Sequence, residues 1–275
     1  MPLIIHWSLV RILLGPFFMR IIKQNSAICS SKSHLAINTI HGINPCRAKE
    51  TPRVKPVPEE SVYAVLPFMT PVVAAMVELQ LLTGMRPGEV TIIRPCDLEM
   101  DGDMWHYYPE KHKNLYRDYD RIISIGPREQ NILRPFLLRN RKCYCFSPKE
   151  SESYRRKKMF EDRKTPLHYG NRPGTNQIAD AKRKPGDCYD SAAYRRAVER
   201  AINKAIKTYK AEGKDIGLLV KWTPYQLRHT AATKARKMFN YETAGALLGH
   251  SNMSATAIYA ERNQGLADEV AKKLG

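Results

Sequence analysis

Apolar residues over positions 59–84 recur at helical spacing, which predicts that this stretch is helical. Pro67 and Pro71 interrupt the pattern, and the run after them, residues 73–82, is apolar on most sides. Such a run is typical of a largely buried helix. Gly84 follows it and belongs to the residue type that most often ends helices. We therefore expect a buried helix that stops at Gly84.

The middle of the chain changes to a strand pattern. Met104–Tyr108 and Arg121–Ile125 are short runs with the residue types and alternation of strands. The basic loop between them, residues 110–117, predicts the tip of a hairpin. Amphipathic spacing then predicts helices over residues 128–139 and 190–210.

Helix signals are clearest near the C-terminus. Thr223 is a favourable N-cap residue, and Pro224 suits the first position of a helix. Tyr225 and Arg228 follow three residues apart, so helical geometry places both on one face. The sequence thus predicts a helix from Pro224 that presents an arginine and a tyrosine together.

The same segment continues into two further elements. A short helix is predicted over residues 242–248, and Gly249 ends it. His250 then lies in the turn, and Tyr259 lies on the helix that follows. An arginine, a turn histidine and a tyrosine are therefore delivered by linked elements, and such groups can hold a phosphate and attack it.

The charge of the chain suggests a partner for this chemistry. The 275 residues carry a net charge of +18, which favours a polyanion, most simply a nucleic acid. A solvated basic surface or a ribosome-like protein is the alternative. The charge is densest over residues 139–184, with fourteen Lys or Arg against five Asp or Glu. We interpret this stretch as a partly ordered basic insertion suited to phosphate-backbone contacts.

Cysteine usage and the N-terminus limit the location of the protein. The six cysteines form no CxxC pair, and they are too few in a chain of this length for a disulfide framework, so a cytoplasmic protein is expected. Residues 1–22 are apolar, but His6 and Arg11 interrupt the run, and no membrane insertion is expected. Residues 23–58 have the composition of a polar connector.

Taken together and in order, these motifs resemble the catalytic domain of the tyrosine recombinases, the phage integrase family. The resemblance covers roughly residues 59–265 and rests on five blocks: Thr83-Gly-Met-Arg86-Pro-Gly-Glu89, the lysine hairpin, Leu227-Arg228-His229-Thr230, Leu248-Gly249-His250, and Tyr259 nine residues later. It implies a mainly α (α+β) fold, helical with a small antiparallel β-sheet.

The resemblance also implies a reaction. The hydroxyl of Tyr259 would attack a DNA phosphodiester and form a 3′-phosphotyrosine ester, and a 5′-hydroxyl would leave. A 5′-hydroxyl of a partner strand later reverses the step. The ester conserves the bond energy, so no cofactor and no metal are expected. The implied partners are double-stranded DNA, other copies of the chain in a homo-tetramer on DNA, and accessory DNA-bending proteins.

Roles for the remaining residues follow from the same resemblance. Arg86 and Arg228 would clamp the non-bridging oxygens of the phosphate, since a guanidinium group binds such oxygens in pairs. His250 would donate a further hydrogen bond to the phosphate. Lys113 is the expected general acid that protonates the leaving 5′-oxygen, and Lys111 is the alternative within the hairpin.

Two features depart from the family pattern. Tyr225 stands where the family usually has histidine, and a phenol is a poor base at neutral pH. Residues 1–58 form an atypical N-terminal segment and linker, without a complete core-binding domain ahead of the catalytic domain at 59–275. We therefore expect a DNA-cleaving and DNA-rejoining recombinase that acts in integration or excision. The alternative is a catalytically weakened or inactive DNA-binding remnant of a mobile-element integrase.

Overall fold

A computed structural model of the chain describes residues 54–111, 121–166, 168–169 and 185–249. The chain divides into two units, Met1–Arg53 and Val54–Gly275, and the described residues belong to the second. These residues form eight α-helices and three strands: α1 Glu59–Val65, α2 Pro71–Thr83, α3 Pro87–Thr91, β1 Leu98–Glu99, β2 Trp105–Tyr107, β3 Ile123–Ile125, α4 Pro127–Leu137, α5 Pro148–Glu161, α6 Ser191–Ala211, α7 Pro224–Met238 and α8 Tyr241–Leu248. Short 3-10 turns follow α1 and α3.

Helix α2 lies at the centre of this unit. Its residues are buried on nearly every side, as the apolar run predicts, and it packs against α4, α5, α6, α7 and β3. Thr83 closes its last turn by donating a hydrogen bond to the Leu79 carbonyl oxygen at 2.7 Å. Gly84 then takes the left-handed conformation with φ of +65°, which glycine adopts without steric cost. The predicted end of the helix is thus confirmed.

The three strands form one antiparallel sheet in the order β1-β2-β3. Tyr107 faces Leu98 on one side and Ile123 on the other, and all three side chains are buried. The Tyr107 hydroxyl donates a hydrogen bond to the Glu89 carbonyl oxygen at 2.9 Å. This bond ties the sheet to α3, the short helix that follows Arg86. The mainly helical fold with a small antiparallel sheet is confirmed.

The basic insertion contains a helix that the sequence pattern does not predict. Helix α5 begins after Ser147, whose hydroxyl oxygen accepts a hydrogen bond from the Lys149 amide. Only Ser151 of this helix is buried, so no apolar stripe marks it. Side-chain pairs one turn apart support it instead: hydrogen bonds from Arg155 and Arg156 lower the pKa of Glu152 to about 2, although burial opposes the shift.

Within the described ranges, every helix is too short or too polar to cross a lipid bilayer.

Candidate active site

Arg228 is fully buried and joins three helices. It lies on α7, and its Nη1 group donates to the Gly84 carbonyl oxygen at 2.6 Å. Its Nη2 group donates to the Leu248 carbonyl oxygen at 2.8 Å. Both oxygens stand at the C-terminal ends of helices, α2 and α8, where carbonyl groups lack helical partners and attract cations. The guanidinium group thus fixes the turn that leads to Arg86 against the turn that leads to His250.

Arg86 is held by Glu89 at the start of α3. One carboxylate oxygen of Glu89 accepts from the Arg86 amide at 2.7 Å, and the other accepts from Arg86 Nη1 at 2.7 Å. Glu89 is 2% exposed, whereas the Arg86 side chain is 19% exposed. Glu89 therefore holds Arg86 by direct contact, and the Arg86 side chain still reaches solvent.

A third arginine, which the sequence analysis does not single out, lies against the same carboxylate. Arg121 is 7% exposed, and its Nε atom lies 3.7 Å from Glu89 Oε1. One sequence signal does point to it. Alternation along the strand puts Arg121 on the same side as Ile123 and Ile125, which face the core. An arginine on a buried strand face is rare enough to mark a candidate site residue.

These groups create a buried excess of positive charge. Burial alone would raise the pKa of the Glu89 carboxyl, but Arg121, Arg86 and Arg228 lower it, and the balance is a lowered pKa. The carboxylate is therefore ionised at neutral pH. Together Arg86, Arg121, Arg228 and Glu89 carry a net charge of +2, and their side chains are largely buried. Such an excess of positive charge attracts a phosphate group.

The turn after α8 favours glycine and lies close to Arg121. Gly249 has φ of +61°, a left-handed conformation. A Cβ atom at this position would also overlap Nη1 of Arg121 and would lie 3.0 Å from its Cζ atom. The turn therefore lies directly against the Arg121 guanidinium, and the next residue in the chain is His250. The predicted end of α8 at Gly249 is confirmed.

Several predicted site residues lie outside the described residues. Lys113, His250 and Tyr259 are among them, so their roles stay predictions. Lys111, the alternative hairpin lysine, is described and is exposed. Among the described residues, no three His, Cys, Asp or Glu side chains form a group that could hold a metal ion.

Tyr225 is the second residue of α7 and lies at the surface. Its side chain is 38% exposed, and its ring meets the His229 ring edge-on with 5.2 Å between the centroids. His229 itself is 2% exposed and packs inside the unit. The exposed Tyr225 side chain leaves room for a histidine at the same position.

Replacing Glu89 by glutamine is expected to lower the free energy of unfolding at pH 7 by about 3–5 kcal/mol, because Arg86 and Arg121 lose their buried counter-charge. The stabilisation by the carboxylate is fully present above its pKa in the unfolded chain, about 4.3. It is lost as the pH falls through the lower pKa of the folded state. Urea unfolding at neutral and acidic pH measures both effects.

The matched control is Glu60→Gln, which removes an exposed carboxylate of α1. This control should change the free energy of unfolding by no more than about 0.5 kcal/mol. Identical pH dependence of stability in the wild-type protein and in Glu89→Gln would show that the carboxylate is not the coupled group described above.

Comparisons with known proteins agree with this architecture. Residues 71–265 match the model described as the phage integrase family. No curated protein matches the chain. Three solved structures are similar to the chain, each at 20% identity or less. The two with TM-scores above 0.5 support a shared fold.

The first of these structures is the XerH site-specific recombinase bound to difH substrate, with 20% identity and a TM-score of 0.46. The second is a lambda integrase dimer bound to a COC′ core site, with 15% identity and a TM-score of 0.51. Each match covers 84% of this chain, but it spans 56% of the XerH chain and 55% of the lambda integrase chain. The third is the Tn1549 transposon integrase in complex with transposon right-end DNA, with 16% identity, a TM-score of 0.51, and coverage of 94% and 83%.

Proposed function

We propose that this chain, which belongs to the phage integrase family over residues 71–265, is a site-specific recombinase. It would cleave and rejoin DNA through a 3′-phosphotyrosine ester. Its role would be the integration or excision of a mobile element. The observation that carries the proposal is the buried cluster of Arg86, Arg121 and Arg228 around Glu89, whose excess positive charge suits a phosphodiester. The structures of lambda integrase and Tn1549 integrase bound to DNA support the same partner.

Arg86 and Arg228, the two arginines of the family motifs, differ in their exposure to solvent and would act differently. Arg86 reaches solvent and would bind a non-bridging oxygen of the phosphate directly. Arg228 is fully buried, and its hydrogen bonds to two carbonyl oxygens fix the position of its charge. Charge grows on the phosphate as the pentacoordinate state forms, so donors that are already in place lower the barrier.

The remaining steps use residues outside the described part of the chain. The Tyr259 oxygen would form a bond to phosphorus as the bond from phosphorus to the 5′-oxygen breaks. Lys113 would give a proton to that leaving oxygen, and the phenolic proton of Tyr259 would pass to a base or to solvent. Rejoining reverses each transfer. The phosphate ester carries the bond energy, so the reaction needs neither ATP nor a cofactor.

An exposed face of α6 supplies a second reason to expect DNA. Arg196, Arg200, Lys204 and Lys207 follow one another at helical spacing and are all exposed. Within the described part of the chain, none of the four forms an ion pair. Like charges one turn apart destabilise a helix, so a polyanion would relieve this repulsion. The row extends about 16 Å along the helix, long enough to contact more than one phosphate.

We assign the catalysis to residues 59–275 and further phosphate-backbone contacts to the basic insertion at 139–184. Recombination between two duplexes cuts four strands, and each cut uses one tyrosine. The active assembly would therefore be a homo-tetramer on DNA, with accessory DNA-bending proteins where the site must be curved.

A trapping experiment tests the function. Double-stranded oligonucleotides with a randomised central segment and a nick in one strand release a short fragment after cleavage, so rejoining is prevented. We expect a protein–DNA complex that resists boiling in detergent and forms in EDTA without ATP. Salt-sensitive DNA binding without any covalent complex would instead support the inactive DNA-binding remnant.

Replacing Tyr225 by histidine is expected to raise the cleavage rate, because a phenol is a poor base at neutral pH. A general base typically raises the rate of the catalysed step by about 10²–10⁴-fold. The side chain is 38% exposed, so histidine can be accommodated. The single-turnover cleavage rate on the nicked oligonucleotide measures this increase. Tyr225→Phe is the control for loss of the hydroxyl alone. A rate for Tyr225→His at or below that of the wild-type protein would contradict the explanation.

A further inference from the structure

We propose that Arg121 is a positioning residue for DNA cleavage. Its side chain holds the Glu89–Arg86 pair and the turn before His250 in a fixed position relative to each other. This inference rests on the proposed function. Arg121 is 7% exposed and stands at the entry to β3, directly after residues 112–120, which include the hairpin lysine Lys113.

Arg121 makes few hydrogen bonds to the described residues. Within the described ranges, its Nε and Nη2 groups donate no hydrogen bond. Its Nη1 group lies 3.4 Å from the Ile122 carbonyl oxygen, a long distance for such a bond. Burial lowers the pKa of Arg121, which shows the cost of keeping the guanidinium out of water. A buried guanidinium with few hydrogen bonds inside the described part of the chain is a candidate for a role beyond folding.

The first contact of Arg121 is with Glu89. The same oxygen, Oε1, lies 2.7 Å from Arg86 Nη1 and 3.7 Å from Arg121 Nε. Arg121 therefore draws part of the carboxylate charge away from Arg86. Arg86 keeps its geometry through the shorter bond, while more of its positive charge remains available to a phosphate.

The second contact of Arg121 is with the turn after α8. A Cβ atom at Gly249 would lie 3.2 Å from Arg121 Cδ and would overlap Nη1, so the Arg121 side chain packs directly against the glycine. Moving Arg121 would release the turn that leads to His250. One side chain thus links the support of Arg86 to the backbone that carries the predicted phosphate ligand.

The test compares Arg121→Gln with Arg128→Gln, an exposed arginine on α4 whose loss changes the net charge equally. Three quantities are measured for each variant: the single-turnover rate of covalent complex formation at saturating protein, the dissociation constant for DNA, and the thermal midpoint. We expect Arg121→Gln to cleave on the order of 10²-fold more slowly. Its DNA affinity should fall far less than its cleavage rate, because Arg86 still reaches solvent and the exposed basic face of α6 remains.

The variant Arg121→Lys distinguishes a role of Arg121 in positioning the site from a role in folding alone. Arg121→Lys keeps the charge near Glu89 but lacks the planar group that lies on Gly249, so it should restore only part of the rate. A structural role alone would lower the thermal midpoint and leave the rate of the folded protein unchanged. Cleavage by Arg121→Gln within about twofold of the control would overturn the inference.

A double-mutant cycle with Glu89→Gln tests whether the effect of Arg121 on the cleavage rate depends on Glu89. Because Arg121 also contacts Gly249, the double variant should cleave more slowly than Glu89→Gln, but by a smaller factor than Arg121→Gln slows the wild-type protein. Two fully multiplicative losses would show that Arg121 acts independently and would overturn the inference. If the wild-type protein forms no covalent complex, the proposed function fails as well. If the wild-type protein forms it and Arg121→Gln matches it, only the role of Arg121 fails.

Discussion

Replacing Arg228 by lysine is expected to slow DNA cleavage by about 10²–10³-fold. The Arg228 guanidinium reaches two carbonyl oxygens on different helices, Gly84 at 2.6 Å and Leu248 at 2.8 Å. An ammonium group has no planar fork and cannot span both oxygens in the same way. One carbonyl group would lose its partner in a fully buried site, and the turns that lead to Arg86 and His250 would no longer be fixed against each other.

Single-turnover cleavage and urea unfolding together measure this effect. The unfolding experiment shows how far the loss of rate exceeds the loss of folded protein. Arg236→Lys is the matched control, because Arg236 lies on the same helix, and its cation lies over the Tyr241 ring at 5.0 Å, a contact that lysine can keep. Cleavage by Arg228→Lys at the wild-type rate would contradict the role given to the guanidinium.

The parts of the site that could be predicted are those set by local signals. Thr223 and Pro224 predict the start of α7, and the structure adds a hydrogen bond from the Thr223 amide to Gln226 Oε1 at 2.9 Å. Gly84 and Gly249 predict the ends of α2 and α8 because left-handed backbone there favours glycine. Such signals involve residues within a few positions of one another, so a single sequence contains them.

The contacts between these elements could not be predicted in the same way. Arg228 and Gly84 are separated by 144 positions, and no local pattern specifies their bond. Arg121 is a single arginine at the start of a strand, and only the packing of the sheet brings it to Glu89 and Gly249. Helix α5 was missed because it buries only one residue. Periodicity detects a buried face and gives no signal for an exposed helix.

Replacing Tyr259 by phenylalanine is expected to abolish the covalent complex entirely, the largest effect in this set. The substitution removes one oxygen atom, and without it no phosphate ester can form at this position. DNA affinity should be unchanged, because the phosphate-binding cluster of Arg86, Arg228 and Arg121 remains. Tyr241→Phe is the control: Tyr241 begins α8 and is another tyrosine of the same segment, and this variant should still form the complex.

The most direct measurement is to identify the residue that carries DNA in the trapped complex. After nuclease and trypsin digestion, residues 238–262 form one peptide, whose only tyrosines are Tyr241 and Tyr259. Tandem mass spectrometry of the nucleotide-bearing peptide separates the two. We predict that the nucleotide is attached to Tyr259 through a 3′-phosphate. A nucleotide on Tyr241 or on any other residue, or a covalent complex that survives in Tyr259→Phe, would contradict the proposed mechanism.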